Sequence, residues 1–423
     1  VALSEAPAAA GPVPPAVALL RDPATVRRRC AAIAQAAQEG RSAHFTLALD
    51  RLDAVADRVA AVTRAAYPDL AIPFHSRWRH FEAGGRDRKG EMDAALAGHG
   101  VADRARARID LTVVSVLLDA GAGPDWRFDE DGVAFGRSEG LGVASWHAFR
   151  AGLFSAVEGD PWRADAAVLQ RIDATALRRA FQVRDDNPLV GLEGRVALLN
   201  RLGDTLQALV AGQPAAARPG WLVDRLMPAV APGVEVPAAE VLRAVLDAFS
   251  PVWLTGQSLQ GLPLGDVWPH PLAGGTADDP ALAPADGRVP FHKLSQWLSY
   301  SLLEPLSWAG ARVTGLDALT GLPEYRNGGL LLDAGVIVPR DPAATARRYT
   351  AADEFIVEWR ALTVALIDRL APRVRERLGC SADELPLACI LEGGTWAAGR
   401  QIARERRGDG SPPLMIDSDG TVF

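Results

Sequence analysis

The amino-acid sequence predicts a mainly α-helical, multi-helix globular fold carrying small β-hairpins. Three observations predict it. Apolar residues recur three and four positions apart over most of the chain, the period of a helix with one buried face. Strand-like runs never alternate with helices as a doubly wound parallel sheet requires. Strong hairpin signals are confined to two Asp-Gly turns.

The elements follow in order. Residues 1–16 are rich in Ala and Pro and are expected to be a flexible N-terminus ahead of one mainly helical unit spanning 17–423. Helices are predicted over 17–38 and 45–66, the second presenting Leu49, Leu52, Val55, Ala56, Val59 and Val62 on one face. A helix over 104–120 is closed by Gly121 and Gly123. Trp126-Arg127-Phe128 and Val133-Ala134-Phe135 flank an Asp-Gly turn and predict a hairpin. Helices over 145–157, 174–181, 192–211, 221–227 and 238–248 come next, with Asn187-Pro188 as punctuation. Residues 253–289 are rich in Pro and Gly, lack periodicity, and read as a long structured loop where a subdomain junction would fall. Pro290 introduces a helix over 291–303 that Pro305 should end. The longest helix is predicted over 342–372, with Phe355, Trp359, Leu362, Leu366 and Leu370 on one stripe. Leu414-Met415-Ile416 and Thr421-Val422-Phe423 around Asp417-Ser418-Asp419-Gly420 predict a second hairpin.

The composition narrows the function. Of the 423 residues 48% are hydrophobic, enough for a sizeable core, which excludes general disorder. A net charge of −7 argues against a protein that coats nucleic-acid phosphate. No apolar run reaches the roughly 18–20 residues of a membrane span, and 1–15 lack a secretory signal pattern. Cys30, Cys380 and Cys389 form no disulfide framework and suit a reducing compartment. A cytoplasmic protein with no nucleic-acid or membrane partner is expected. The seven histidines include no HxH and no HExxH, and no phosphate-cradling glycine loop is present, so neither a metal nor a cofactor is expected.

Three segments mix polar and aromatic chemistry with apolar surroundings. In residues 73–82, His75, Arg77, Arg79 and His80 lie among three aromatics, a stacking wall edged with cations. In residues 291–304, Lys293 (one of two lysines in the chain), Gln296, Tyr300 and Glu304 fall three, four and four apart on one helical face. In residues 316–333, Glu324, Tyr325, Arg326 and Asn327 are consecutive and precede Gly328-Gly329. Those glycines permit tight backbone geometry or close approach to a ligand. Glu324 beside an aromatic suits an acid or base, and Asp333 is the second carboxylate candidate. Glu392 and Trp396, in a Glu-Gly-Gly-Thr-Trp run, repeat the mixture on a smaller scale.

The blocks FHKLSQWLSYSLLEPL (291–306) and LTGLPEYRNGGLLLDAGV (319–336) resemble the uncharacterised-domain family found as the fourth protein of the fungal and bacterial URC route of uracil breakdown. The blocks PFHSRWRHFE (73–82), DNPLVGLEGR (186–195) and ILEGGTWAAGR (390–400) are similar to the same family, so the resemblance covers roughly 20–423. It implies a step after ring opening by a cyclohydrolase-like enzyme, on the way to free urea. The pattern LT-x-x-x-[DE]-Y-R also resembles, more distantly, the queuosine-salvage family of nucleotide N-glycosylases, which implies a helical DNA-glycosylase-like fold. That family has Asp where this chain has Glu324.

Together these imply a metal-independent N-glycosyl hydrolase acting on a small phosphorylated ribosyl substrate, a ribosyl-urea 5′-phosphate or a related ring-opened uridine nucleotide. Glu324, with Asp333 second, would act on the glycosidic bond. Tyr325, Arg326 and Asn327 would position ribose or urea, and His75, Arg77, Arg79 and Lys293 would hold the phosphate. His80, Gln296, Tyr300, Glu392 and Trp396 complete the expected substrate-binding set. The alternatives are a non-catalytic scaffold for the cyclohydrolase-like pathway enzyme, or a ureide or amide hydrolase of the same pathway.

Overall fold

In a computed structural model of the chain, the described residues are 13–417 except 120, 211–212, 214–215, 229, 254–256 and 276–278. The fold is mainly α with small two-stranded sheets. The segment read as one helix over 17–38 is two, α1 (Pro15–Arg21) and α2 (Pro23–Gln38). Pro23 cannot continue a helix but opens one well, and Asp22 caps α2 by accepting the Ala24 N–H at 3.3 Å. The expected flexible stretch lies outside the described residues up to position 12, and its last two residues begin α1.

Residues 45–66, read as a single helix, divide. Phe45–Leu47 is a strand paired antiparallel with Ile337–Pro339, and α3 occupies Leu52–Ala66. Next come α4 (Trp78–Phe81), α5 (Arg88–Ala95) and α6 (Val101–Leu117). The predicted hairpin forms between Arg127–Glu130 and Val133–Gly136. It leads into α7 (Arg137–Arg150), α8 (Ala166–Leu169), α9 (Ala174–Ala180), α10 (Leu192–Leu209), α11 (Trp221–Leu226) and α12 (Ala238–Phe249).

The long loop contains local order. Val267–Pro269 pairs antiparallel with Arg288–Pro290, and Leu264, Val267 and Ala285 form a small core with Ala16, Val17 and Leu20 of α1. Its Asp266 accepts two hydrogen bonds from Arg360, at 2.8 and 2.7 Å, while the Arg360 guanidinium lies 4.1 Å from the Phe291 ring centroid. Asp266 also accepts the Lys293 backbone N–H at 2.9 Å and so caps α13 (Lys293–Trp308).

Pro305 does not end α13; the helix runs three residues further, with Pro305 buried inside it. A proline inside a helix removes one backbone bond. Here the last turn still closes, because the Ala309 N–H is within 3.1 Å of the Pro305 and Leu306 carbonyls. After α14 (Tyr325–Asp333), the segment read as helix from 342 begins with a 3-10 turn and the strand Arg348–Thr350. The helix itself, α15, is Glu354–Leu378, ended by Gly379 at φ 73°. The described arm of the second expected hairpin, Met415–Asp417, pairs parallel with Arg348–Thr350. The far arm of that reading, 418–423, lies outside the described residues.

One contiguous core extends from Val26 to Ile416. Within it α15 packs on α2 and α3, α13 on α6, and α14 on α15 and on α17 (Trp396–Arg406). Gly328 and Gly329 lie within α14, so they serve helix packing rather than a turn. A methyl at Gly328 would overlap the Trp359 ring, whose Nε1 donates to the Gly328 carbonyl at 3.2 Å. Gly328→Ala should therefore lower stability by about 1–3 kcal/mol through overpacking, although Ala is the better helix former by roughly 1 kcal/mol. Urea denaturation measures the sign; a gain in stability would mean that the α14–α15 contact yields easily.

Candidate functional site

Two helix starts and one irregular segment build the site. Glu324 is the N-cap of α14. Its Oε2 accepts the Arg326 N–H at 2.7 Å and its Oε1 the Asn327 N–H at 2.6 Å. The loop that delivers it is clamped from α13. Gln296 Oε1 accepts the Thr320 N–H at 2.8 Å, Gln296 Nε2 donates to the Thr320 hydroxyl at 2.7 Å, and the Tyr300 hydroxyl donates to the Thr320 carbonyl at 3.0 Å. Both side chains are fully buried, so they position Glu324 rather than meet a ligand. Asn327 braces the same loop through its Nδ2 on the Leu322 carbonyl at 3.0 Å.

Lys293 stands at the first turn of α13, after His292 in the left-handed region at φ 50°. Backbone strain of this kind persists where surrounding contacts over-determine it. Here His292 Nε2 hydrogen-bonds the Leu20 carbonyl at 2.8 Å and Asp266 holds the next N–H. The Lys293 ammonium has no hydrogen bond or ion pair among the described residues. Burial lowers its pKa, opposed by the fields of Glu324 and Asp119. Burial raises the pKa of Glu324, opposed by its two backbone donors, Lys293 and His75. Both residues are deep in the protein, yet each keeps partial exposure. A side chain lining a recess has that combination.

The 73–82 segment supplies another wall. The His75 N–H is fixed on the Ala388 carbonyl at 3.0 Å, and its Nδ1 lies 2.7 Å from Glu392 Oε2. Glu392 sits in a π-helical turn, Leu391–Thr395, a distortion often found at functional sites. Trp297, one turn along α13 from Lys293, faces both histidines, with centroids 4.6 Å from His75 and 6.0 Å from His80. Arg77 is fully buried and committed. It donates to Ser115 Oγ at 2.7 Å, His80 Nδ1 at 2.9 Å and the Ser138 carbonyl at 3.1 Å, and pairs with Asp119 at 3.0 Å. Burial and Arg77 push the His80 pKa down to about 3, so His80 is a neutral acceptor.

The structure thus brings together His75, Arg77, His80, Lys293, Glu324 and Glu392, with Gln296, Tyr300 and Asn327 as bracing. Other expected residues fall elsewhere. Arg79 pairs with Glu304 at 2.8 Å and Glu82 at 3.2 Å. Tyr325 points its hydroxyl to the Ile416 carbonyl at 3.4 Å. Asp333 sits at the opposite end of α14 from Glu324, bonded by Arg407 at 2.8 and 2.5 Å. Arg326 turns its guanidinium into a cleft that Arg400 also lines, and the ring of Trp396 lies beneath Arg400 at 4.8 Å. Sequence reasoning missed Asp119 and Trp297. Asp119 carried one signal, a carboxylate closing the apolar run 111–118.

A cleft of about 460 Å³ near His44, Arg347 and Phe355 holds none of these residues, and its charges are paired, Arg347 with Asp341 and His44 with Glu354. No described helix is long and apolar enough to cross a membrane.

Residues 19–423 match the model of a family described as protein of unknown function (DUF1688). Protein urg3 of Schizosaccharomyces pombe is 38% identical over 405 residues, covering 94% of this chain and 96% of its own. Uracil catabolism protein 4 of Lachancea kluyveri is 37% identical over 414 residues, covering 91% of this chain and 93% of its own.

Proposed function

The chain belongs to the DUF1688 family, and from that membership and the Lys293–Glu324 arrangement we propose that it is a uracil-catabolism enzyme hydrolysing the N-glycosidic bond of a ribosyl-urea 5′-phosphate or a related ring-opened uridine nucleotide. The name of the Lachancea relative supports the pathway. The observation that carries the chemistry is an unpartnered ammonium held in the field of a doubly capped carboxylate, with no ion pair closed between them. Opposite charges in a low-dielectric interior attract strongly. Two helix starts fixed by backbone bonds hold these apart.

In the reaction the C1′–N bond breaks and a C1′–O bond to water forms, giving ribose 5-phosphate and urea. The sugar passes through an oxocarbenium-like state. Glu324 stabilises that positive charge and takes a proton from the attacking water; its raised pKa makes it a stronger base than an exposed carboxylate. The departing urea nitrogen takes a proton from Lys293, whose lowered pKa makes it a stronger acid than an exposed lysine. The His75–Glu392 pair and Trp297 form the wall against which a planar urea group would lie.

Synthetic ribosyl-urea 5-phosphate incubated with the purified chain should yield urea and ribose 5-phosphate in equal amounts. Absence of urea above background, from protein shown to be folded, would overturn the reading.

A further inference from the structure

Beside the Glu324 recess lies a cleft of about 410 Å³ with five arginines in its wall: Arg127, Arg137, Arg326, Arg400 and Arg404. Only Glu139 and Asp409 oppose them. The arginines come from four separate places: the hairpin, the start of α7, the start of α14, and one face of α17. Convergence of like charge from four segments costs repulsion. Burial lowers the pKa of Arg326, Glu324 opposes this, and Arg400, Arg137 and Arg404 add to the lowering.

Arg127 donates to the Pro124 and Trp126 carbonyls at 2.7 Å each, but the other four have few partners. Arg137 and Arg404 have no hydrogen bond or ion pair among the described residues. Arg400 lies 3.5 Å from Glu139, at the limit of a hydrogen bond, and Arg326 donates once, to the Gly410 carbonyl at 3.0 Å. The backbone is bent to produce this arrangement. Arg137 adopts φ 54°, a strained value for a side chain of its size. Gly399 lets α17 approach the Arg326 carbonyl so closely that a methyl could not fit, which brings Arg400 and Arg404 up to Arg326.

Residue 326 is shared between the two spaces. Its N–H holds the Glu324 carboxylate and its guanidinium enters the cleft. We propose that this arginine cleft, rather than the His75–Arg79 segment, is the seat of the substrate's phosphate, for a sugar monophosphate whose reacting end reaches Glu324. The identity of the sugar rests on the hydrolase reading above. Arginine forks match phosphate oxygens in pairs, and a dianion would relieve the repulsion among the cleft's arginines. Arg77 and Arg79, by contrast, are already paired with carboxylates.

The test titrates ribose 5-phosphate and inorganic phosphate into the full chain by calorimetry. The double variant Arg137→Ala/Arg404→Ala should bind both at least about tenfold more weakly, and Arg171→Ala, exposed elsewhere, should leave binding unchanged. Both cleft residues are exposed, and thermal unfolding verifies that the variant is folded. Wild-type affinity in the double variant overturns the proposal. If that variant loses binding while the wild type releases no urea, the cleft stands and the hydrolase reading falls. If urea is released equally fast from ribosyl-urea with and without its 5-phosphate, the cleft falls and the hydrolase reading stands.

Discussion

Glu324→Gln should lower kcat for urea release by about 10²–10⁴-fold, the usual worth of a positioned acid–base group, while the affinity for ribose 5-phosphate stays within a few-fold. The substitution keeps the side chain's length and one acceptor oxygen, and removes the charge. It also weakens a cap, because the carboxylate uses both oxygens on the N–H groups of Arg326 and Asn327. That loss should cost roughly 1 kcal/mol of stability, as N-cap replacements do. Glu324→Asp separates the two roles. Aspartate caps helices well and keeps its charge, but it withdraws the carboxylate by one methylene. A residue that only caps would leave the aspartate variant fully active and stable. A catalytic residue would leave it stable and slow. Wild-type turnover in Glu324→Gln would remove Glu324 from the chemistry and favour a scaffolding role.

The helices were legible because a buried helical face repeats locally. In the longest one Phe355, Trp359, Leu362, Leu366 and Leu370 are all buried, as their spacing predicts. The hairpin at 127–136 was legible too, because its turn is local, whereas strands with distant partners were not. Phe45–Leu47 carries an apolar pattern compatible with a helix, and only pairing with Ile337–Pro339 makes it a strand. Met415–Asp417 is a strand as read, but its pairing with the distant Arg348–Thr350 was not readable. Pro305 misled for a different reason: tertiary packing at the end of α13 offsets the one backbone bond that proline removes.

The site was partly legible for a related reason. Lys293 and Glu324 stood out as polar groups in apolar segments, and the structure sets each at a helix start within the other's field. Which cation is free could not be read. Arg77 and Arg79 are two positions apart in one motif, and only their distant partners, Asp119 and Glu304, show that both are engaged. Arg137 and Arg404 are single arginines in an arginine-rich chain, and only the α14–α17 approach brings them to one cleft.

Arg77→Ala should destabilise the protein by about 3–5 kcal/mol, since truncating one partner of a buried pair strands the other charge. Against a total stability of roughly 5–15 kcal/mol the variant can still fold. Its Asp119 carboxylate would stay buried beside Lys293 and His80 without its main counter-ion. Asp119→Ala should cost less, because Arg77 keeps Ser115, His80 and the Ser138 carbonyl as acceptors. The pH dependence of Arg77→Ala and the wild type should also differ in steepness. In the wild type burial raises the Asp119 pKa, but Arg77, His80 and Lys293 outweigh it and hold it below the ordinary value. A carboxylate of that kind contributes stability above its unfolded pKa of about 3.9, and loses it as pH falls through the folded value. In Arg77→Ala, His80 loses the neighbouring charge that helps push its pKa to about 3, while Asp119 remains beside it. Its folded pKa should then rise toward the unfolded value of about 6.5, so less stability is lost as pH falls below that value. Thermal midpoints measured from pH 7 to pH 5 should therefore fall for the wild type, whose His80 is held neutral by burial and Arg77, and fall less for Arg77→Ala. Parallel profiles would show that Asp119 finds another counter-charge when Arg77 is gone, and that Arg77 does not set the protonation of His80.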